Sequence, residues 1–247
     1  MMFPGQGLAH PKPVPEVELP LSEVFGPTFQ GEGPATGRRC WFVRLGLCNL
    51  SCEWCDTPYT WDTSRYDVAA ECPDTPTSVI LDRLANLGAE EGSLVVLSGG
   101  EPMMHRAKLP HLLHPRYEWH VETNGTLAPP SWWASEVAHT TVSPKVITQD
   151  RESKRIKPGV LSQWATLAYE GKATFKFVLK EPRDVDMLVD LTDTLGLRAQ
   201  DVWVMPEGTS PEEILRGTRL LAQPALDAGF NLTTRLHTLI WADERMR

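Results

Sequence analysis

No stretch of about 18 uninterrupted apolar residues occurs in this chain, which excludes a membrane-spanning helix. Positive charge is scarce: 24 Lys and Arg stand against 32 Asp and Glu, for a net charge of −8 at pH 7. A surface that coats nucleic acid needs the opposite balance, so no nucleic-acid partner is expected. The N-terminus lacks a charged-then-apolar export pattern, and no internal repeat is visible. Cysteine is sparse, with 5 in 247 residues, and three of them crowd into positions 48–55. That usage suits a reducing, cytoplasmic setting better than a disulfide scaffold. Cys40 opens an apolar run and Cys72 sits in a Pro/Asp-rich loop, so both read as structural thiols.

What is present suffices for one sizeable core, since 41% of the residues are hydrophobic and single α/β domains reach this length. Residues 1–20 hold Pro4, Pro11, Pro13, Pro15 and Pro20 without periodicity and read as an extended leader, leaving 21–247 as the single domain. Apolar runs of strand length follow at 41–47, 94–97, 119–121, 140–142, 175–179, 202–205 and 232–236. Between them lie helical patterns at 78–87 (Val79, Leu81, Leu84, Leu87, capped by Thr75 or Thr77), at 184–195 (Val185, Leu188, Leu191, Leu195) and at 210–222, which opens S-P-E-E. Strands alternating with helices predict an α/β fold with a parallel sheet. About six units are too few to close an eight-fold barrel, so an open, partial (β/α) barrel is expected. The charged segment 149–157 reads as a solvated loop. Several motifs fall at successive strand ends, where ligands gather in parallel α/β folds.

Cys48, Cys52 and Cys55 form C-N-L-S-C-E-W-C. Thiolates are the usual ligands of iron–sulfur clusters and closed zinc sites, and both want four of them. Three leave one position open for a small chelating molecule. A zinc site completed by a distant His, or reduced cysteines in a loop, fits the spacing too. Around the thiols stand F-G-P-T-F-Q-G-E-G-P-A-T-G-R-R (25–39), C-D-T-P-Y-T-W-D (55–62), S-G-G-E-P (98–102), E-T-N-G (122–125), S-P-K (143–145) and R-L-H-T-L-I-W (235–241). The triple-cysteine spacing resembles the radical S-adenosylmethionine (SAM) superfamily. The ordered set, from about residue 22 to the C-terminus, resembles its 7-carboxy-7-deazaguanine synthase family.

That resemblance implies a radical SAM partial barrel with a 4Fe–4S cluster on Cys48, Cys52 and Cys55, and SAM on the open iron. Trp54 would lie against the adenine, unless it only packs the loop, with Asp56 a hydrogen-bonding neighbour. Gly99, Gly100 and Glu101 would hold the SAM amino group, the glycines through close backbone approach and Glu101 through its charge. Ser143, Pro144 and Lys145 would serve the ribose or carboxylate. Val204, Met205, Pro206 and Glu207 would line the adenine, or form a plain strand-to-turn transition. Thr57 is implied as a Mg²⁺ ligand, a role a lone hydroxyl does not suggest by itself.

The implied substrate is 6-carboxy-5,6,7,8-tetrahydropterin, contracted to 7-carboxy-7-deazaguanine with loss of ammonia and catalytic use of SAM. Arg44, set among apolar neighbours, would take its carboxylate or else an internal acidic partner. Phe29, Gln30, Gly31 and Glu32 would read the pterin edge, joined by Ser98 and Thr123. His237 is either a further contact or a satisfied core histidine. A flavodoxin or ferredoxin donor and a homodimer are implied as partners. The motifs leave two other functions open: a glycyl-radical activase of the same superfamily, and a non-enzymatic zinc module. The terminal A-D-E-R-M-R departs from the family's usual glycine-bearing end.

Overall fold

Residues rich in Val, Leu, Phe and Trp pair as strands because extended backbone lets such side chains pack on both faces of a buried sheet. The computed structural model describes residues 16–242 and 244–247. Its strands are β1 (Glu18–Phe29), β2 (Arg39–Leu45), β3 (Asp74–Pro76), β4 (Leu94–Gly99), β5 (Glu118–Thr123), β6 (His139–Val142), β7 (Ala173–Leu179), β8 (Val202–Pro206) and β9 (Asn231–Leu232). They form one nine-stranded sheet in the order β3-β1-β2-β4-β5-β6-β7-β8-β9. From β2 through β9 every neighbouring pair is parallel, while β1 runs antiparallel to both β2 and β3. The ends do not meet, so this is an open, partial barrel. The parallel portion has seven strands (β2 and β4 to β9) rather than about six.

The longer helices are α1 (Thr77–Asn86), α2 (Pro158–Tyr169), α3 (Pro182–Leu195), α4 (Pro211–Asp227) and α5 (Leu236–Trp241). Helices α1 to α4 bury their apolar stripes in a continuous core against the sheet, with Leu84, Trp164, Leu188 and Leu221 all fully buried, whereas α5 buries only Thr238. No helix among the described residues is long and apolar enough to cross a membrane. Ser210 caps α4 as its sequence predicts, accepting from the Glu213 amide in a capping box.

Several expectations need correction. Residues 18–20 belong to β1, where Leu19 is fully buried; residues 1–15 of the leader lie outside the described residues. In α1 the inward side chains are Ile80 and Leu84, whereas Val79 and Leu87 are exposed. The helix starts after Pro76 and has no side-chain cap. The last strand ends at Leu232, and α5 begins where a strand was expected to finish. Helix α2 carries no pattern that we read from sequence, although Leu161, Trp164 and Ala168 bury one face. The segment 149–157 is mostly exposed, as expected, but contains a short helical turn, Glu152–Arg155, and its contacts also make it a brace, described below.

Candidate active site

The carboxyl ends of the strands open into one cleft enclosing about 1360 Å³ with its mouth included. Cys48, Cys52 and Cys55 all line it and all are free. Their loop is held from beneath by residues 147–155. The Trp54 indole N–H donates to the Ile147 carbonyl at 2.6 Å, the Ser51 amide to Asp150 Oδ2 at 2.6 Å, and the Gln149 amide to Glu53 Oε2 at 3.0 Å. Arg155 in turn donates to the carbonyls of Lys145 and Val146, at 2.8 and 2.7 Å. The charged stretch 149–157 is mostly solvent-exposed, as expected, and it also braces the cysteine loop through these bonds. Trp54 itself lines the cleft, with Lys145 Nζ 5.5 Å from its ring centroid.

The thiols suit a cluster chemically. The Leu50 amide donates to Cys48 Sγ at 3.4 Å and the Trp61 indole to Cys55 Sγ at 3.3 Å, and N–H donors to sulfur stabilise thiolate ligands. Burial pushes the Cys48 thiol up to about 12 and raises Cys52 as well, so metal binding must displace protons. No group of three or more His, Cys, Asp or Glu among the described residues converges as ligands of one metal ion would. A cluster asks for no such convergence, because each thiolate takes a separate iron.

The glycines after β4 serve the same loop. A Cβ on Gly99 would stand 2.1 Å from the Leu45 carbonyl oxygen, and one on Gly100 would stand 2.0 Å from that of Leu47. The Gly100 and Glu101 amides donate to those two oxygens at 2.9 and 2.8 Å. Glycine is thus required where the two backbones touch. Glu101 corrects an expectation: it is fully buried and does not line the cleft. Its carboxylate accepts from the Met103 amide (2.9 Å), Thr123 Oγ1 (2.7 Å) and the Asn124 amide (2.6 Å). Burial raises its pKa against these donors. It clamps the ends of β4 and β5.

The other expected SAM contacts, Asp56, Gly99, Gly100, Ser143, Lys145, Met205, Pro206 and Glu207, line the cleft, whereas Pro144 and Val204 do not. Thr57 lines it too, with its hydroxyl 3.7 Å from Cys55 Sγ. Of the expected substrate contacts, Phe29, Gln30, Glu32, Arg44, Ser98 and Thr123 line the cleft and Gly31 does not. Gly31 instead makes room for His237, since a Cβ there would lie 1.9 Å from His237 Nδ1. His237 reaches the cleft with its Nε2 4.0 Å from Glu32 Oε1, and burial lowers its pKa.

Two charge networks shape the floor. Glu32 pairs with Lys176 and, at 2.9 Å, with Arg235, which also pairs with Asp56. Burial alone would raise the Glu32 pKa, but Lys176 and Arg235 hold it well below the usual carboxylate range. Arg44 Nε bonds Glu23 Oε2 at 2.8 Å, and Glu23, only 5% exposed, also takes Arg245. The internal partner we considered for Arg44 therefore exists, while its guanidinium still borders the cleft. Glu122 accepts from Gln30 Nε2 (3.2 Å) and Ser98 Oγ (2.9 Å).

Sequence reasoning missed Lys176, Arg235, Glu122 and Glu23 as functional groups. Lys176 carried the same signal as Arg44, a cation inside an apolar strand. Arg235 and Glu122 lie in motifs already singled out, R-L-H and E-T-N-G. Glu23 has no local signal, because its partners come from residues 44 and 245.

A three-thiol loop over a partial barrel, with strand-end glycines packed against it, defines an iron–sulfur enzyme of the radical SAM type. In agreement, residues 29–125 match the family described as "4Fe-4S single cluster domain". The crystal structure of QueE from Escherichia coli has the same fold, with a TM-score of 0.65 at 24% identity, over 89% of this chain and 95% of that one. The 7-carboxy-7-deazaguanine synthase of Hyperthermus butylicus is 32% identical, covering 90% of this chain and 92% of its own, and that of Halobacterium salinarum is 31% identical, covering 91% of each. The chain belongs to the 7-carboxy-7-deazaguanine synthase family. Membership decides among the three functions that the motifs left open.

Proposed function

We propose that the protein converts 6-carboxy-5,6,7,8-tetrahydropterin to 7-carboxy-7-deazaguanine with release of ammonia. The observation that carries this reading is the union, in one cleft, of the three cluster thiols and the Arg44, Glu122 and Glu32 networks. When bound, the cluster and SAM supply the one-electron chemistry that starts the reaction. The chain's own residues bind, orient and exclude water. Arg44 is a planar donor fork suited to a carboxylate, and Glu23, shared with Arg245, keeps its countercharge when Arg44 turns to substrate.

Glu122 supplies acceptor oxygens, fixed by Ser98 and Gln30, for the donors on a pyrimidinone edge. Glu32, held ionised, is a second acceptor. Phe25 and Phe42 stack at 5.0 Å between centroids and line the cleft, giving a flat apolar wall for a heterocycle. Trp54, Gly99, Gly100, Ser143, Lys145 and the run from Met205 to Glu207 line the same cleft as the thiols and would hold SAM. Thr57 offers Mg²⁺ one hydroxyl, with substrate and water supplying the other oxygens. A cytoplasmic homodimer that takes electrons from a flavodoxin or ferredoxin completes the proposal.

An anaerobic assay with reconstituted protein, SAM, Mg²⁺, reductant and carboxytetrahydropterin tests it by mass spectrometry. The expected product is 7-carboxy-7-deazaguanine, with little 5′-deoxyadenosine accumulating. Deoxyadenosine alone, from protein with a full cluster, moves the substrate elsewhere and defeats this assignment.

A further inference from the structure

Residues 102–117 contain no Asp or Glu, yet they hold Arg106, Lys108, Arg116 and three histidines, in a chain whose net charge is −8. Arg106, Lys108 and Arg116 are exposed. This segment leaves β4 and lies directly on the cysteine loop. His105 Nε2 is hydrogen-bonded to the Gly46 carbonyl at 3.0 Å, and the Glu101 amide to the Leu47 carbonyl at 2.8 Å. Leu47, the residue before Cys48, has φ of 69°, a left-handed conformation that non-glycine residues rarely adopt. Its amide is fixed to the Thr60 carbonyl at 2.7 Å. The result is an apolar side chain 43% exposed beside the first thiol, with Met104 40% exposed on the adjoining segment.

A lone exposed Leu needs no explanation. One kept outward by a strained backbone, next to an exposed Met and a basic edge, is a different matter. None of Leu47, Met104, Arg106 and Lys108 lines the cleft, so a partner can reach this face while substrates fill the site. The acidic groups nearby are Asp74 on β3, which His105 senses, and Glu18 on β1, whose carbonyl accepts from Lys108 Nζ at 2.9 Å.

We propose that Leu47, Met104, Arg106 and Lys108 form the docking surface for a small acidic protein that carries one electron to the cluster. The inference rests on the function proposed above. One electron leaves the carrier's reduced flavin or iron centre and reduces the cluster by one. No atom or bond crosses the interface. Transient redox encounters are small, bury less than about 1,200 Å² and depend on charge steering. An apolar patch with a basic rim fits that description. The patch adjoins the cysteine loop, because Leu47 directly precedes Cys48.

The test compares Arg106→Glu/Lys108→Glu with a control pair, Arg216→Glu/Arg219→Glu, on the exposed face of α4. Flavodoxin binding is measured calorimetrically at several salt concentrations, and cluster reduction by flavodoxin or dithionite by stopped flow. The docking pair should weaken binding and slow reduction by flavodoxin about tenfold or more, flatten the salt dependence, and leave dithionite reduction within about twofold. Arg106→Gln/Lys108→Gln should fall between it and wild type. Unchanged flavodoxin binding and rate in cluster-loaded variant overturns the docking surface, as does an equal loss with dithionite or from the control pair. Wild-type protein that loads no cluster overturns the functional reading itself.

Discussion

The sheet wall built by β1, β2 and β4 and the wall built by β5 to β7 use the same extended backbone but opposite chemistry. On the first, Phe25, Cys40, Phe42, Leu94 and Val96 form a small apolar cluster separate from the helix-facing core. On the second, Glu118, His120 and Glu122 alternate along β5, and Lys176 follows on β7. Charges on this wall come with partners already in place. Arg38 grips Glu118 through two bonds of 2.9 and 2.7 Å, His120 bonds Glu118 at 3.0 Å, and Lys176 pairs with Glu32. The single cation of the apolar wall, Arg44, has to borrow its countercharge from Glu23 outside the cluster. A low-dielectric wall thus gives shape and strengthens the one charge it carries, while a polar wall must be neutralised internally before it can recognise anything.

Four measurements would break or sharpen that contrast. Arg44→Ala should have the largest effect on turnover, because the apolar wall holds no second cation. The expected loss is about 100-fold in kcat/KM for the pterin, roughly 2.7 kcal/mol, as for a charge-assisted hydrogen bond. Uncoupled SAM cleavage should persist, and Glu23 keeps Arg245 as partner. Unaltered pterin turnover would remove Arg44 from the substrate site.

Lys176→Met should destabilise the fold by about 3 kcal/mol, since it strips a buried carboxylate of one of its two cations. The Glu32→Gln/Lys176→Met double variant should be more stable than the sum of the single changes implies, a coupling that denaturant unfolding reads directly. Strict additivity would mean the pair is not coupled.

The third test is acidification. The Glu32 carboxyl titrates in the fold below its ordinary value of 4.5, so it adds stability above that pH and loses it as pH falls further. Urea midpoints from pH 6 down to 3 should therefore drop less steeply in Glu32→Gln than in wild type. Phe42→Leu should be the mildest, costing about 1 kcal/mol in thermal unfolding, because a ring-sized change on an apolar wall can partly repack. A loss as large as that of Lys176→Met would erase the distinction between the walls.

Much of this architecture was readable in the chain, for particular reasons. Strands β2, β4, β7 and β8 are largely apolar runs, and their ends coincide with the motifs. β1 was hidden because Pro20 and the Gly26–Pro27 pair interrupt any alternation, and its register with β2 shifts twice. The inward face of α1 was misassigned because several of its apolar residues do not fall on one stripe, and packing against β1 selected Ile80 and Leu84. β9 is short because its chain turns at Thr233, whose hydroxyl accepts from the Gly33 amide at 2.9 Å, across 200 residues.

The candidate site divides in the same way. The cluster thiols sit in a short span, and a ligand set within eight residues can be recognised from spacing alone. Glu101 looked like a ligand because it ends a glycine motif, and only its three protein donors reveal a clamp.

By itself, the order of residues determined the α/β alternation, the cysteine loop and the family, because each depends on neighbours close in sequence. Only the tertiary structure decided which charges meet. Glu23 with Arg245, Glu32 with Lys176 and Arg235, and the 147–155 brace with the cysteine loop are all pairings across long separations. Whether a buried charge serves a ligand or the fold depends on the donors that reach it in space. That is settled by how the strands and loops pack, not by the residue's neighbours along the chain.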